Sequence, residues 1–302
     1  MSTIFHRLFG KKNTKPLPQP AGEISGQEPT VPKPLSNQPA WTLDPPQFLY
    51  GCAQSVGKLR SHNEDAVLSF SSSTNSDTNN MPFGLFVVAD GMGGHQNGEM
   101  ASSLAVRAVG SYTLGKLCDP IFSPVPTAPA ESIQEIMRYG VLEAHHMIVK
   151  EVQGGGTTLT AALIRGDQLT IAHVGDSRAY SVTADGGIQL LTRDHSLVKR
   201  LVELGQLTEQ EAAFDPRKNV LYRALGQGET LEPDISTLLA PKGGYLMICS
   251  DGLWGVVPEE VISYTIMNAP HPQIACNQMV DAANQAGGPD NISVILVRVP
   301  DG

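Results

Sequence analysis

Apolar residues along this chain fall into two patterns. Some form short continuous runs, LFVVADG, TIAHVGDS, LMICSDG and ISVILV, each bounded by Gly or Asp. Runs of that length with such boundaries predict buried strands. Others recur at helical spacing. Ala101, Leu104, Ala105, Ala108, Val109 and Tyr112 share one face of a helix that Asn97 can cap. Ile133, Ile136, Met137, Val141, Ala144 and Ile148 line a second helix, from about Ser132 to Val152.

The rest of the chain fits around these elements. FLYGCAQS predicts an opening strand, followed by a loop carrying GKLRSHNED. Ser71 to Asn80 predicts a hairpin-type loop, and residues 118 to 130 a Pro-rich loop. GGGTTLTAALI leads into strands through Leu163 and from Leu169 to Val174. Residues 195 to 226 break the strand pattern. There Ser196 caps SLVKRLVELG, which ends at Gly205, and Thr208 with Glu211 makes a capping-box pair. After the strand YLMICS come a helix with Pro258 near its start and another from Pro272 to about Ala286. Two helices mid-chain and two near the end, set between strand groups, predict an α+β fold with antiparallel strands rather than a βαβ repeat.

Composition sets the outer limits. The chain has 302 residues and a net charge of −9. Residues 1 to 46 hold nine of the 22 prolines, with five Lys/Arg against three acids, and predict a disordered, semi-extended tail. One domain of residues 47 to 300 remains, with residues 195 to 226 as an excursion from it. Its acidic balance argues against nonspecific nucleic-acid binding. Cys52, Cys118, Cys249 and Cys276 show neither metal nor pairing spacing, which fits a reducing cytoplasm. No run approaches the roughly 18 apolar residues of a membrane span. The start, MSTIFHRLFGKK, places four apolar residues beside three basic ones, enough for at most a short amphipathic turn.

The chemistry lies in the aspartates. Asp90, Asp176 and Asp251 each end an apolar run, and Asp290 precedes one. Four carboxylates at strand ends can converge on one rim of a sheet. They repel one another, so the arrangement needs bound cations or shared protons. Aspartate oxygens suit magnesium or manganese. Arg60, four residues before Glu64, offers a bidentate phosphate clamp. Asp176 in GDSR also reads as a turn residue paired with Arg178. His145 and His146 read as surface or packing residues, and His173 and His195 as structural. Gly155, Thr157 and Thr158 read as the makers of a tight turn.

In order, Arg60-x-x-x-Glu64-Asp65, Asp90-Gly-Met-Gly-Gly, Gly155-Gly-Thr-Thr, Gly175-Asp-Ser-Arg, Ser250-Asp-Gly and Asp290-Asn291 resemble the PPM family of metal-dependent protein serine/threonine phosphatases, type 2C, in its bacterial version. The resemblance spans roughly Leu49 to Val299. It implies a central sandwich of two antiparallel β-sheets with helices on both outer faces and a small helical flap at about 195–226. It implies two Mn²⁺ or Mg²⁺ ions, with a third in bacterial members. Asp90 matches the aspartate that bridges two ions, the Gly91 carbonyl adds a ligand, Asp251 and Asp290 match ligands of the first ion, and Glu64 a second-ion residue acting through water. Asp65 matches a supporting carboxylate, and Asp176 with Asp251 matches the third-ion site. Arg60 matches the phosphate-binding arginine. The reaction implied is hydrolysis of phosphoserine or phosphothreonine by a bridging metal-bound hydroxide, on phosphoprotein substrates made by a Ser/Thr kinase. A monomer is expected. One position departs from the family pattern: Met92 stands where many eukaryotic members have a proton-donating His. His95, three residues further along, is then a candidate acid, and a metal-bound water could serve equally.

Overall fold

A computed structural model describes residues 47–74, 81–94, 96–123 and 127–301. The predicted tail, His95 and the tip of the Ser71–Asn80 loop therefore lie outside the described residues. Among those described, no helix is long and apolar enough to cross a membrane.

The chain opens with β1 (Leu49–Ser55), β2 (Asp65–Thr74) and β3 (Met81–Met92), followed by α1 (Gln96–Phe122) and α2 (Ile133–Glu151). Next come β4 (Gly156–Thr157), β5 (Leu159–Arg165), β6 (Gln168–Val174), β7 (Arg178–Val182) and β8 (Ile188–Leu190). The excursion holds α3 (Leu197–Glu203) and α4 (Glu209–Phe214). The chain closes with β9 (Asp234–Leu239), β10 (Tyr245–Cys249), α5 (Asp251–Trp254), α6 (Glu259–Asn268), α7 (Pro272–Gln285) and β11 (Ile292–Arg298).

These strands form two antiparallel sheets. One runs β1-β11-β10-β7-β8, and the other β2-β3-β5-β6-β9 with β4 paired to β3. The expected sandwich is thus present, and the three apolar interfaces between its four layers explain the continuous apolar runs. Along β3, Leu85 and Val87 join the cluster under α1 and α2. Phe86 and Val88, alternating with them, meet Ile248 and Ile295 of the other sheet. On the far side of that sheet, Met247 and Val294 pack with Ile262, Ile266 and Met279 of α6 and α7. A strand covered on both faces has no polar side to show in the sequence.

Three local expectations are corrected. Ser71 to Thr74 belong to β2, because Ser71 pairs with Gly84 and Thr74 with Met81 in the ladder. The ladder's hydrogen bonds outweigh the weak strand propensity of serine. The Pro-rich loop begins later than residue 118: α1 continues through Pro120 to Phe122, with Leu117 buried under it. Asn97 is not the cap of α1, which already starts at Gln96; its side-chain amide donates to the Gln153 carbonyl instead (3.2 Å). By contrast, Ser132 caps α2 in a full capping box with Glu135, Ser196 caps α3, and Thr208 with Glu211 caps α4.

Candidate active site

Each predicted carboxylate sits at the end of a strand on the same rim. Asp65 begins β2 and faces Asp90 across the β2–β3 ladder. Asp176 follows β6, Asp251 follows β10 and opens α5, and Asp290 precedes β11. The glycine after two of these aspartates has a packing reason. A Cβ at Gly91 would strike the carbonyls of Gly98 and Glu64, and one at Gly252 the carbonyl of Asn291. Close backbone approach is what lets these strand ends converge.

The backbone of Asp90 is fixed by the β4–β5 corner. Its N–H donates to Thr158 Oγ1 (3.0 Å), while its carbonyl accepts from Thr158 N–H (2.8 Å) and Thr157 Oγ1 (2.9 Å). Thr157 and Thr158 therefore shape the turn, as expected, and in doing so aim Asp90. Gly91 N–H donates to the Glu64 carbonyl (3.1 Å), and Ser102 Oγ donates to the same oxygen (2.6 Å). Glu64 N–H donates to Asn291 Oδ1 (2.8 Å), and Asn291 Nδ2 donates to the carbonyls of Val56 and His62. Asn291 thus sets the loop that carries Arg60 and Glu64.

The carboxylates feel one another strongly. Burial, then repulsion from Asp65, Asp251, Asp176 and Asp290, pushes the Asp90 carboxyl well above the usual range. Burial first, and neighbouring acids next, raise Asp251 to about 6 and Asp176 to about 8. Asp65, 8% exposed, is raised to about 7 by burial, against the opposing bonds from Ser293 Oγ (2.6 Å) and Ser250 Oγ (2.9 Å) to its Oδ2. Among the described residues, buried Asp65 Oδ1 and Asp251 Oδ1 have no hydrogen-bond partner.

Arg60 bonds Asp290 through Nη2 (2.8 Å) and remains about half exposed. Hydrogen bonding to Asp290, then the charges of Asp290, Glu64 and Asp90, raise its pKa further despite partial burial. Among the described residues, no three His, Cys, Asp or Glu side chains stand together at metal-ligand spacing. The acids are gathered, but Asp290 is engaged by Arg60 and Asp65 by two serines. Two orphaned carboxylate oxygens amid mutually repelling acids nonetheless form a donor set suited to a hard cation.

A cleft of about 510 Å³ leads from Asp176, Asp251 and Asp290 to the excursion, where Val198, Lys199 and Lys218 line it. Arg178 does not pair with Asp176. It makes two bonds to Asp194 (3.0 and 2.7 Å) and stacks on Trp254, its Cζ 3.6 Å from the ring centroid. Burial would lower its pKa, but the Asp194 bonds hold it above the ordinary value. Trp254 Nε1 donates to the Asp176 carbonyl (3.0 Å) and so fixes that corner.

The profile of the Protein phosphatase 2C family matches residues 52–292. The chain belongs to that family. It is 36% identical over 242 residues to the serine/threonine phosphatase Stp of Listeria welshimeri, covering 80% of this chain and 92% of that protein. Its fold matches the S. agalactiae serine/threonine phosphatase with a TM-score of 0.71 at 34% identity, over 83% of this chain and 99% of that one. It also matches the catalytic domain of the phosphatase PstP in complex with two manganese ions, with a TM-score of 0.67 at 30% identity, over 84% of this chain and 99% of that one.

In this protein phosphatase 2C domain, several residues support the site without a local sequence signal that names their partner. Ser250 adjoins Asp251, and Ser293 is the polar interruption in the apolar run of β11; both signals were visible without their target, Asp65. Asp194 and Trp254 carried no spacing that pointed to Arg178. His145 is a packing residue, buried and accepting from Gly226 N–H (3.2 Å), whereas His146 is exposed. His173 is structural as expected: burial, then His195, lowers it to about 4, and it lies between Thr160 Oγ1 and the Arg193 carbonyl.

Proposed function

We propose that this chain hydrolyses phosphoserine and phosphothreonine in other proteins, using two Mn²⁺ or Mg²⁺ ions held by the acidic rim. The observation that carries this reading is the concentration of Asp65, Asp90, Asp176 and Asp251, all raised in pKa by burial and by one another, around carboxylate oxygens with no partner. Asp90 and the Gly91 carbonyl stand at the centre of the ligand set, Asp251 and Asp290 on one side and Glu64 on the other. Asp176 with Asp251 supplies the place for a third ion. The cations, when bound, lower the pKa of a water and neutralise charge on the phosphate oxygens. Asp65, held by Ser250 and Ser293, keeps the β2 end of the rim in place. Arg60, half exposed and bonded through Nη2 to Asp290, is the residue that would hold the phosphate. His95 is the candidate to protonate the departing oxygen.

The cleft of about 510 Å³ that runs from the acidic rim to the excursion supports a peptide rather than a small ester as substrate. The phosphoryl group is supplied by a Ser/Thr kinase acting on the same proteins. Cys52, Cys118, Cys249 and Cys276 are all free thiols, consistent with a reducing cytoplasm, and we take the chain to work as a monomer.

The test is phosphate release from phosphothreonine and phosphotyrosine peptides with and without Mn²⁺. Mn²⁺-dependent release from the phosphothreonine peptide alone is expected; equal rates on both, or rates indifferent to metal, would refute the reading. In the same assay Arg60→Ala raises KM about tenfold or more, with a smaller change in kcat, because it removes a charge-assisted bond made already in the bound substrate. An unchanged KM would remove the clamp assignment.

A further inference from the structure

The excursion from residue 195 to 226 is tied to the body at its base: through His195 and Arg223, and through Leu225, which exchanges two backbone bonds with Thr157 (3.1 and 2.9 Å). His195 begins it and Arg223 lies near its end. Between them Leu197 N–H donates to the Val220 carbonyl (2.7 Å) and Tyr222 N–H to the His195 carbonyl (2.9 Å), so the two ends run side by side. His195 is anchored to the body by two bonds to Gly175. Its N–H donates to the Gly175 carbonyl (2.7 Å), and its ring Nδ1 accepts from Gly175 N–H (3.0 Å). Because Nδ1 accepts, the ring proton sits on Nε2, which faces Asp234 Oδ2 at 3.2 Å. Arg223 Nη1 donates to Asp234 Oδ1 at 2.7 Å. Nη1 also lies 3.3 Å from His195 Nε2, but both atoms are donors, so Asp234 is what holds them together.

We propose that Asp234, on the edge strand β9, is a positioning residue that clasps both ends of the flap with its two carboxylate oxygens. It thereby fixes the flap wall of the cleft against the body. The proposal rests on the phosphatase reading for its substrate but not for its geometry. His195 is only 1% exposed, so its bond to Asp234 is shielded from water, while Asp234 and Arg223 are 47% and 30% exposed and can part. Among the described residues, no hydrogen bond joins Asp234 or Arg223 to Asp90, Asp176, Asp251 or Asp290, and His195 meets the rim through Gly175, beside Asp176, by bonds that do not depend on Asp234. Loss of the clasp therefore loosens the flap at its base and leaves the carboxylate rim as it is. A small substrate that needs only the rim is indifferent to the change. A peptide that lies along Val198, Lys199 and Lys218 is not.

Asp234→Asn and Arg223→Gln test this, singly and together, in the full chain. Asn keeps one acceptor and presents an amide donor to the other partner. Three quantities are measured: tryptic cleavage after Lys218 under native conditions, KM for a phosphothreonine peptide, and kcat/KM for p-nitrophenyl phosphate. Each single variant is expected to raise cleavage and peptide KM about tenfold, the response of a local opening equilibrium that governs both. The p-nitrophenyl phosphate value stays within about twofold, and the double variant is no worse than the worse single, since both partners belong to one clasp. Unchanged cleavage, additive effects in the double variant, or equal losses on both substrates would overturn the proposal. A wild type that turns over neither substrate would instead remove the phosphatase reading, and the cleavage rates would still decide the clasp.

Discussion

Asp90→Asn lowers phosphate release by on the order of 10³-fold or more at saturating Mn²⁺, and at the same time raises the melting temperature of the metal-free protein. The two effects have one cause. The Asp90 carboxyl lies in the field of Asp65, Asp251, Asp176 and Asp290, and burial adds to their repulsion. Its charge is costly to the fold and is kept for what it binds. Asparagine has nearly the same shape. The bonds that tie residue 90 to Thr157 and Thr158 all involve its backbone, so they survive the change. The variant therefore folds, loses the repulsion, and cannot supply the central anionic ligand. Kinetics and a thermal scan on one preparation check both halves. Turnover near wild type would contradict the bridging role, and a lower melting temperature would contradict the electrostatic account of the rim.

Mn²⁺ raises the melting temperature more at about pH 8 than at about pH 5, and chelation removes both the rise and the activity. The sign follows from the raised carboxyls. Asp251, Asp65 and Asp176 stand near 6, 7 and 8 in the folded protein, against an ordinary value of 3.8. Below about 3.8 the folded and unfolded chains are protonated alike, and these groups cost nothing. As pH rises through that value the unfolded chain sheds protons that the fold retains, so stability of the metal-free protein falls until the folded groups ionise, near pH 8. A cation takes the place of the retained protons and cancels the loss, so its increment grows across the same window. At a concentration 100-fold above Kd the increment is about 2.7 kcal/mol, or roughly 5–10 °C for a domain of this size. An increment that shrinks with rising pH would mean that these carboxyls do not take the ion.

How much of this was legible in the sequence depended on burial. β3, β6, β10 and β11 announce themselves because both of their faces are covered, so their apolar runs are unbroken. β8 and β9 carry no such signal: they are edge strands with largely accessible side chains, and only their ladders define them. The end of α1 was hidden by Pro120, whose effect on a final turn is smaller than in a helix interior. At the site, aspartates at the ends of apolar runs were readable because a carboxylate there interrupts a strong pattern. Their supports were not. Ser250, Ser293 and Thr158 are hydroxyls of a kind found throughout the chain, and their roles appear only once β2 packs against β10 and β11 of the facing sheet and the β4–β5 corner meets β3. Arg178 illustrates the same limit. Local spacing paired it with Asp176, whereas the fold delivers Asp194 from beyond β8.

The central claim is that acidic side chains distant in sequence meet to hold divalent ions, and isothermal titration of the metal-free chain with Mn²⁺ tests it most directly. Saturable uptake of two ions per chain is expected, with release of protons and with at least one ion lost in Asp90→Asn. A titration showing no heat beyond dilution, or the same uptake in wild type and Asp90→Asn, would contradict it.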